Sequence, residues 1–350
     1  MREWRHGKTQ SVHRFSLRPR GGPRVPAGHE WRHRSGPGTA YSRSSCAPCT
    51  SKPVYPGPQQ NWKDLAAELR IDLEELVARY PDIASNYTIL SIFDKTTSIG
   101  SIELDRIYSG LTARNGKHER DVLLLLLSTG GSVEPAYRIS KICKYFARGK
   151  FAVCVPRYAK SAATLISLGA DEIHMGRLGE LGPIDPQVQG LPALAVGRAL
   201  EALAQLAQAY PGSSQMLADY LRQQLKVQQI GHFERVAESA VQYAQRLLGA
   251  KHSAGVLSAE PELIAKKLVH DYKDHGFVID VDESRDLLGE RWIREDSQET
   301  RFADDFYSLF DRYNWLLEMA GDSTLLLIGS LHGDDIARTF WAYPKKPRDS

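Results

Sequence analysis

The stretch Asp121 to Gly131, DVLLLLLSTGG, constrains this chain more than any other. Val122 to Leu127 are all aliphatic, so the segment has no polar face. A strand apolar on both faces must be covered on both, as an interior strand of a parallel sheet is. The run is far too short to cross a bilayer, which takes about 20 apolar residues. It ends at Gly130-Gly131, and Ser132 to Phe146 then places Ile139, Ile142, Cys143 and Phe146 on one helical face. Pro135 falls in the first turn, where proline is tolerated. Strand, glycine turn and amphipathic helix make one βα unit.

The same alternation continues on both sides. Residues 61–86 read as helix, Tyr87 to Asp94 as a strand, and Leu104, Ile107 and Leu111 as one face of a helix. Phe151 to Val155 is a third strand. Ala162, Leu165 and Ile166 mark a helix closed by Gly169, and Glu172 to Met175 is a fourth strand. Alternating strands and helices predict an α/β core with a largely parallel sheet and right-handed crossovers. Beyond GELGPIDPQ (residues 179–187) the composition shifts. Residues 192–209 and 214–249 are Ala-, Leu- and Gln-rich helices separated by Pro211-Gly212. A helix over Glu260 to Val269 leads into HDYKDHGFVID, and the C-terminal part adds an aromatic helix (Phe302 to Met319) and a strand-like run (Thr324 to Ile328).

With 350 residues, 42% of them hydrophobic and 25% charged, the chain has the composition of a soluble globular protein with a sizeable core. Its net charge of +3 conceals an asymmetry: residues 1–60 carry eleven Lys/Arg against two Glu, which leaves the remainder acidic. That basic stretch is rich in Gly, Pro, Ser and Arg and has no apolar period, so residues 1–60 are expected to be a disordered tail. No apolar segment follows its basic residues, so no signal peptide is expected. The acidic remainder offers no basic patch for phosphates, and nucleic acid is not an expected partner. Cys143 and Cys154 lie in apolar segments and read as small core residues of a reducing, cytoplasmic protein. Cys46 and Cys49 form a lone C-x-x-C without a second ligand pair, and no metal is expected.

Two turns carry the chemistry. In Ser128 to Ser132, STGGS, the glycines allow a backbone whose N–H groups point outward unpaired, as an oxyanion hole requires. Ser161, in AKSAATLISLGADEI, stands at the strand-to-helix turn of the next unit. Its hydroxyl can attack a carbonyl while the Ala162 N–H, at a helix start, holds the developing charge. The competing reading is plain: Gly-Gly after a strand is often only a turn, and Ser before a helix only a cap. The segment is not a G-x-S-x-G elbow, which disfavours an α/β-hydrolase.

STGG, then AKSAATLISLGADEI, then GELGPIDPQ, in that order, resemble the serine dehydrogenase proteinase family, which is allied to signal peptide peptidase A and the Clp proteolytic subunit. The likeness is strong over residues 85–190 and looser through HDYKDHGFVID. It implies a crotonase/Clp-protease-like core with a parallel sheet, flanking helices and a helical C-terminal extension. The implied organisation is a catalytic core over residues 61–190, a helical region over 191–290 and a further helix and strand over 291–350. Carried over by position, Ser161 matches the nucleophile, and Gly131 and the Ala162 amide match the oxyanion donors. GPIDPQ matches the strand beside the substrate channel, which makes Gly130, Ser132, Gly182 and Pro183 the expected substrate contacts. The implied substrate is a peptide or unfolded protein, no cofactor is involved, and the assembly is a homo-oligomer for which residues 192–250 offer an amphipathic surface.

The proton acceptor stays open. Clp-type peptidases use a histidine at the position of Asp185, and signal peptide peptidases use a later lysine, a role that Lys226 can fill. Lys160 adjoins Ser161, but adjacent side chains diverge, so it is expected to shape the pocket or dock elsewhere. His270 and His275 are the remaining candidates, since histidine as a residue type changes charge near neutral pH. His275 precedes Gly276 at what reads as a helix end, whose dipole favours the protonated form. The spacing of His270, Asp271, Asp274 and His275 matches no helical zinc motif. His174 reads as structural, Asp171 and Glu172 as solvating a strand start, and Glu234 and Glu238 as a solvated face. His332, Asp334 and Asp335 are not distinguished from an exposed turn. The leading expectation is a serine peptidase-like hydrolase. An inert binding or scaffold module of the same fold, and acyl-CoA chemistry with no nucleophile, are its rivals.

Overall fold

The computed structural model describes residues 62–344, apart from positions 97, 189–190, 225–226, 321–322, 333–334 and 336–338. The basic segment 1–60, with Cys46 and Cys49, and Lys226 lie outside the described residues, as does Asp334.

Helices α1 (Trp62–Ala78) and α2 (Pro81–Asn86) lead into β1 (Tyr87–Asp94), followed by α3 (Ser101–Asn115) and β2 (Asp121–Ser128). Then come α4 (Val133–Phe146), β3 (Phe151–Val155), β4 (Tyr158–Ala159), α5 (Ala162–Leu168), β5 (Glu172–Met175) and β6 (Glu180–Leu181). A short hairpin, β7 (Gln187–Val188) and β8 (Leu191–Pro192), precedes the helices α6 (Ala193–Ala209), α7 (Ser214–Gln224), α8 (Val227–Ser253), α9 (Pro261–Lys266) and α10 (Val281–Leu288). The C-terminal part supplies β9 (Ile293–Arg294), α11 (Gln298–Ala320), β10 (Ser323–Ser330) and β11 (Phe340–Pro344).

The main sheet runs β11-β10-β1-β2-β3-β5-β9. From β1 to β9 every pairing is parallel, while β10 lies antiparallel to β1 and β11 to β10. Val122 to Leu127 are completely buried in its centre, as their lack of a polar face requires. Side chains alternate between two cores. Leu124 and Leu126 face α3, α4, α5 and α8 through Ile107, Ile139, Leu165 and Ala240. Leu123, Leu125 and Leu127 face α1 and α11 through Leu69, Leu73, Phe302 and Phe306. Phe93 meets the rings of Phe306 and Phe310 edge-on, with centroids 4.7 and 5.2 Å away, a favourable aromatic geometry. The α/β architecture read from the sequence is present. The C-terminal region is helical, and β10 and β11 also widen the sheet beyond β1. No helix among the described residues is long and apolar enough to cross a membrane.

One departure from a simple βαβ pattern builds the site. β2 pairs with β3 over Val122–Leu125, but its last residue, Ser128, pairs with Ala159 of β4. The chain between Val155 and Tyr158 therefore bends, and β4 continues the ladder where β3 leaves it. β6 pairs with β4, and Leu181 bridges to Ile279 in antiparallel fashion. This small platform brings the 128–132 turn, Ser161, the 180–185 segment and the 274–279 loop to one end of β2.

Candidate functional site

Ser161 does not cap α5. It occupies the residue before the helix at φ 52° and ψ −116°, and its hydroxyl makes no capping hydrogen bond. A non-glycine residue held in such a region costs roughly 1–3 kcal/mol and persists only where its surroundings impose it. Here they do. The Lys160 N–H donates to Ser128 O at 3.0 Å, which ties the turn to the end of β2, and the Leu165 N–H donates to Ser161 O at 3.1 Å. The residue is 3% exposed, and Ala162 and Ala163 behind it are fully buried. This backbone resembles the strained turn of a G-x-S-x-G elbow in kind, although the sequence lacks that motif.

The glycine turn abuts Ser161 directly. A Cβ on Gly130 would stand 2.7 Å from the Cβ of Ser161 and 3.1 Å from the Ala162 nitrogen, and Gly130 itself has φ +115°. Glycine is thus required twice over, for conformation and for approach. On the other flank, the Ile99 N–H donates to Gly130 O at 2.9 Å and the Ser132 N–H to Ile99 O at 2.8 Å. In such a parallel bridge the groups of residues 130 and 132 face Ile99, so the N–H of Gly131 points away from Ile99. The Ser128 Oγ accepts the Gly130 N–H at 3.1 Å and fixes the turn from below.

The GPIDPQ segment is locked to the same helix. The Thr164 hydroxyl lies 2.7 Å from both Ala159 O and Gly182 O, and the Gly182 N–H lies 3.1 Å from Thr164 Oγ1. Gly182 and Pro183 are buried, so they form a wall rather than a free surface. The Ile184 N–H donates to Leu268 O, in the π-helical turn Lys267–Asp271, at 2.9 Å. That contact draws the 272–279 loop alongside Asp185.

The structure brings two sequence candidates together. His275 Nδ1 stands 3.5 Å from Asp185 Oδ2. Both His275 Nδ1 and Asp185 Oδ1 are buried atoms without a hydrogen-bond partner. A dipole argument for His275 falls away, because the helical turn ends at Asp271 and His275 sits in a separate turn. Lys160 docks on the 180 and 276–277 segments. Its ammonium lies 2.7 Å from Glu180 Oε1 and donates to Gly276 O at 3.0 Å and Phe277 O at 3.3 Å. Thr164, Ser128, Ile99 and Glu180 are site-building residues that the sequence reading did not single out. The only signal for Thr164 was its place one helical turn after Ser161.

The other polar groups have structural tasks. The His174 Nδ1 lies 2.7 Å from Ser297 Oγ, and Nε2 lies 3.4 Å from Glu172 Oε2. The nearby His174 ring and the Lys150 ammonium hold the Glu172 carboxyl down at about 2. Asp171 pairs with Lys144 and Lys251, each at 2.6 Å. His332 is no exposed turn residue: its Nε2 accepts the Ile89 N–H at 2.9 Å. Burial and the nearby Arg120 and Arg114 push its ring down to about 4. Glu238 is exposed and lies 3.6 Å from His270. Burial pushes the Cys143 and Cys154 thiols up, so neither offers a thiolate at neutral pH. No cluster of three or more His, Cys, Asp or Glu able to hold a metal ion occurs among the described residues. A cleft of about 590 Å³ opens between α3 and β10, lined by Ile102, Asp105, Arg106, Ser109 and Ser330 among others, and shares no residue with the Ser161 corner.

Comparison with known proteins places the chain in a family. Two uncharacterized proteins of Methanocaldococcus jannaschii are similar in sequence. MJ0137 is 32% identical over 155 residues, covering 41% of this chain and 51% of its own length. MJ1495 is 26% identical over 145 residues, covering 41% and 48%. The chain thus spans about half the length of the curated relatives it matches. Among solved structures, a mutant of the 1510-N membrane-bound stomatin-specific protease is similar at 13% identity and a TM-score of 0.39, covering 68% of this chain and 86% of that one. ClpP1 from Listeria monocytogenes gives 13% identity and a TM-score of 0.39, covering 66% and 99%. The family profile described as ClpP-like SDH-type serine proteinase matches residues 105–287, a span that holds both turns, the GPIDPQ segment and His275. The chain belongs to this family of ClpP-like serine proteinases.

Proposed function

We propose that the protein is a serine peptidase that works through an acyl-enzyme on Ser161. The observation that carries this reading is the strained, non-capping Ser161 pressed against Gly130. A helix cap needs neither positive φ nor a glycine within contact distance, whereas a nucleophile presented at a strand-to-helix turn needs both.

In this reading Ser161 Oγ attacks the peptide carbonyl carbon while His275 takes its proton. Asp185 faces His275 Nδ1, so it holds the tautomer that leaves Nε2 free to accept. Its 3.5 Å separation shortens when substrate excludes water, since catalytic hydrogen bonds are often long in the unliganded protein. The Gly131 and Ala162 N–H groups receive the tetrahedral oxyanion. The amine leaves with the proton from His275, and water, activated by the same imidazole, releases the acyl group. Gly130 and Ser132 line one side of the peptide path, and the Gly182-Pro183 wall the other. The chemistry calls for no cofactor.

We also place this activity in a cytoplasmic homo-oligomer. Leu206, Tyr210, Met216 and Tyr220 are exposed on and beside α6 and α7, an apolar surface that a second copy would cover. A monomeric mass by light scattering would remove this part of the proposal and leave the hydrolase reading intact. The activity itself is tested with fluorescein-labelled casein, an unfolded protein. The wild type is expected to release fluorescent peptides and Ser161→Ala to release none. Equal release by both would end the reading.

A further inference from the structure

We propose that Lys160 is the positioning residue of this site: its ammonium fixes the loop that carries His275 to the turn that carries Ser161. The inference rests on the serine peptidase reading and deepens it. An ammonium has three protons, and here three oxygens surround it: Glu180 Oε1, Gly276 O and Phe277 O. With all three donors committed to these oxygens, the ammonium is assigned a positioning role rather than that of base to Ser161. The two carbonyls belong to the residues that directly follow His275. Glu180 belongs to β6, which continues through the buried Gly182-Pro183 wall to Asp185.

One side chain therefore joins the three segments that bear Ser161, Asp185 and His275. Its stem is confined as well. A Cβ on Gly182 would lie 2.9 to 3.0 Å from the Cβ, Cγ and Cδ of Lys160, so the glycine gives the lysine its lane. The 274–278 loop has little else to hold it: Gly276, Phe277 and Val278 are exposed. Its other ties include the Gly276 N–H to Asp274 Oδ1 bond, the Phe277 N–H to Asp274 O bond, the Leu181–Ile279 bridge and the Phe277 ring against Tyr272, with centroids 4.8 Å apart. The two internal bonds shape the turn without placing it, the bridge anchors its far end, and Tyr272 touches the Phe277 ring, so of these ties none holds the His275 backbone directly. Charge-assisted bonds from Lys160 set where His275 stands.

The test compares Lys160→Met, Lys160→Arg and Glu180→Gln by the rate of fluorophosphonate labelling across pH, by kcat and KM on labelled casein, and by thermal unfolding. Misplacement of a catalytic group by an ångström costs about a hundredfold in rate, so Lys160→Met is expected to lose about that much in kcat and labelling rate, with KM and unfolding temperature little changed. Its pH profile is expected to lose the limb that His275→Ala also removes. Lys160→Arg, which keeps a cation with several donors, is expected to restore the rate to within about threefold of wild type. If Lys160→Met fails to fold, Glu180→Gln decides: a folded protein with a kcat about tenfold lower supports the inference, and wild-type kinetics overturn it. A Lys160→Met protein with wild-type rates and pH profile overturns it directly. So does a Lys160→Arg protein as inactive as Lys160→Met, since that pattern marks a base. Absence of Ser161 labelling in the wild type is a different failure, that of the peptidase reading itself.

Discussion

Gly130 and Ser161 meet so closely that a methyl group on the glycine would stand 2.7 Å from the serine Cβ. The contact joins two consecutive β-to-α turns and shapes the space above them. Gly130→Ala must therefore displace Ser161 or the turn itself. Because φ at Gly130 is +115°, alanine adds backbone strain of about 1–3 kcal/mol to the clash. We expect a lower unfolding temperature together with loss of Ser161 labelling. A folded variant that labels at the wild-type rate would contradict the contact.

The strain at Ser161 itself predicts a trade of stability for function. Ser161→Gly relieves a positive φ and should stabilise the fold by about 1 kcal/mol, read as a higher denaturant midpoint, while abolishing hydrolysis. Ser161→Ala keeps the strain and should be no more stable than the wild type. Equal midpoints for Gly and Ala would mean that the turn is not strained.

His275→Ala should reduce kcat on casein by about 10²- to 10⁴-fold, the usual contribution of a general base. Asp185→Asn should reduce it substantially too, because the amide cannot hold the same histidine tautomer. The double variant should be little worse than His275→Ala alone, since the two act as one unit. Additive losses would separate them.

His332 predicts a pH dependence of stability that has nothing to do with catalysis. Its ring must be neutral to accept the Ile89 N–H, and burial brings its pKa down to about 4, against 6.5 when exposed. The neutral ring's stabilisation is fully present above pH 6.5 and is lost as pH falls from 6.5 towards 4. The loss amounts to about 3 kcal/mol at most. Urea midpoints at pH 7 and pH 5 measure it, and His332→Gln should flatten the difference. An unchanged slope in that variant would assign the acid sensitivity elsewhere.

The aromatic side of the core offers a mutational scale. Phe306 is fully buried against Phe93, so Phe306→Ala should cost about 3–5 kcal/mol in denaturant unfolding. A cost below 1 kcal/mol would mean that α11 does not pack on the sheet as described.

How much of this was legible in the sequence follows from the range of the forces involved. Val122–Leu127 and Phe151–Val155 could be read as interior strands because local apolar runs determine burial. Ser161 and Gly130-Gly131 could be singled out because turns write themselves in glycine and small polar residues. β4 and β6 could not be read: two-residue strands have no periodicity, and they form because Ser128 offers β4 a ladder and β4 in turn offers one to β6. The partner of His275 was hidden for the same reason. Asp185 lies ninety residues away and reaches it through the Ile184–Leu268 bond, which leaves no mark in either segment. Lys160 was expected to shape the pocket or dock elsewhere, but two of its acceptors, Gly276 O and Phe277 O, are backbone carbonyls, and those carry no residue code at all.

One measurement bears most directly on the account: incubation of the native protein with a fluorophosphonate, followed by peptide mapping by mass spectrometry. We predict a single adduct on Ser161, slowed strongly by His275→Ala and absent in Ser161→Ala. An unmodified Ser161 in the folded wild-type protein, or equal labelling spread over surface serines, would contradict it.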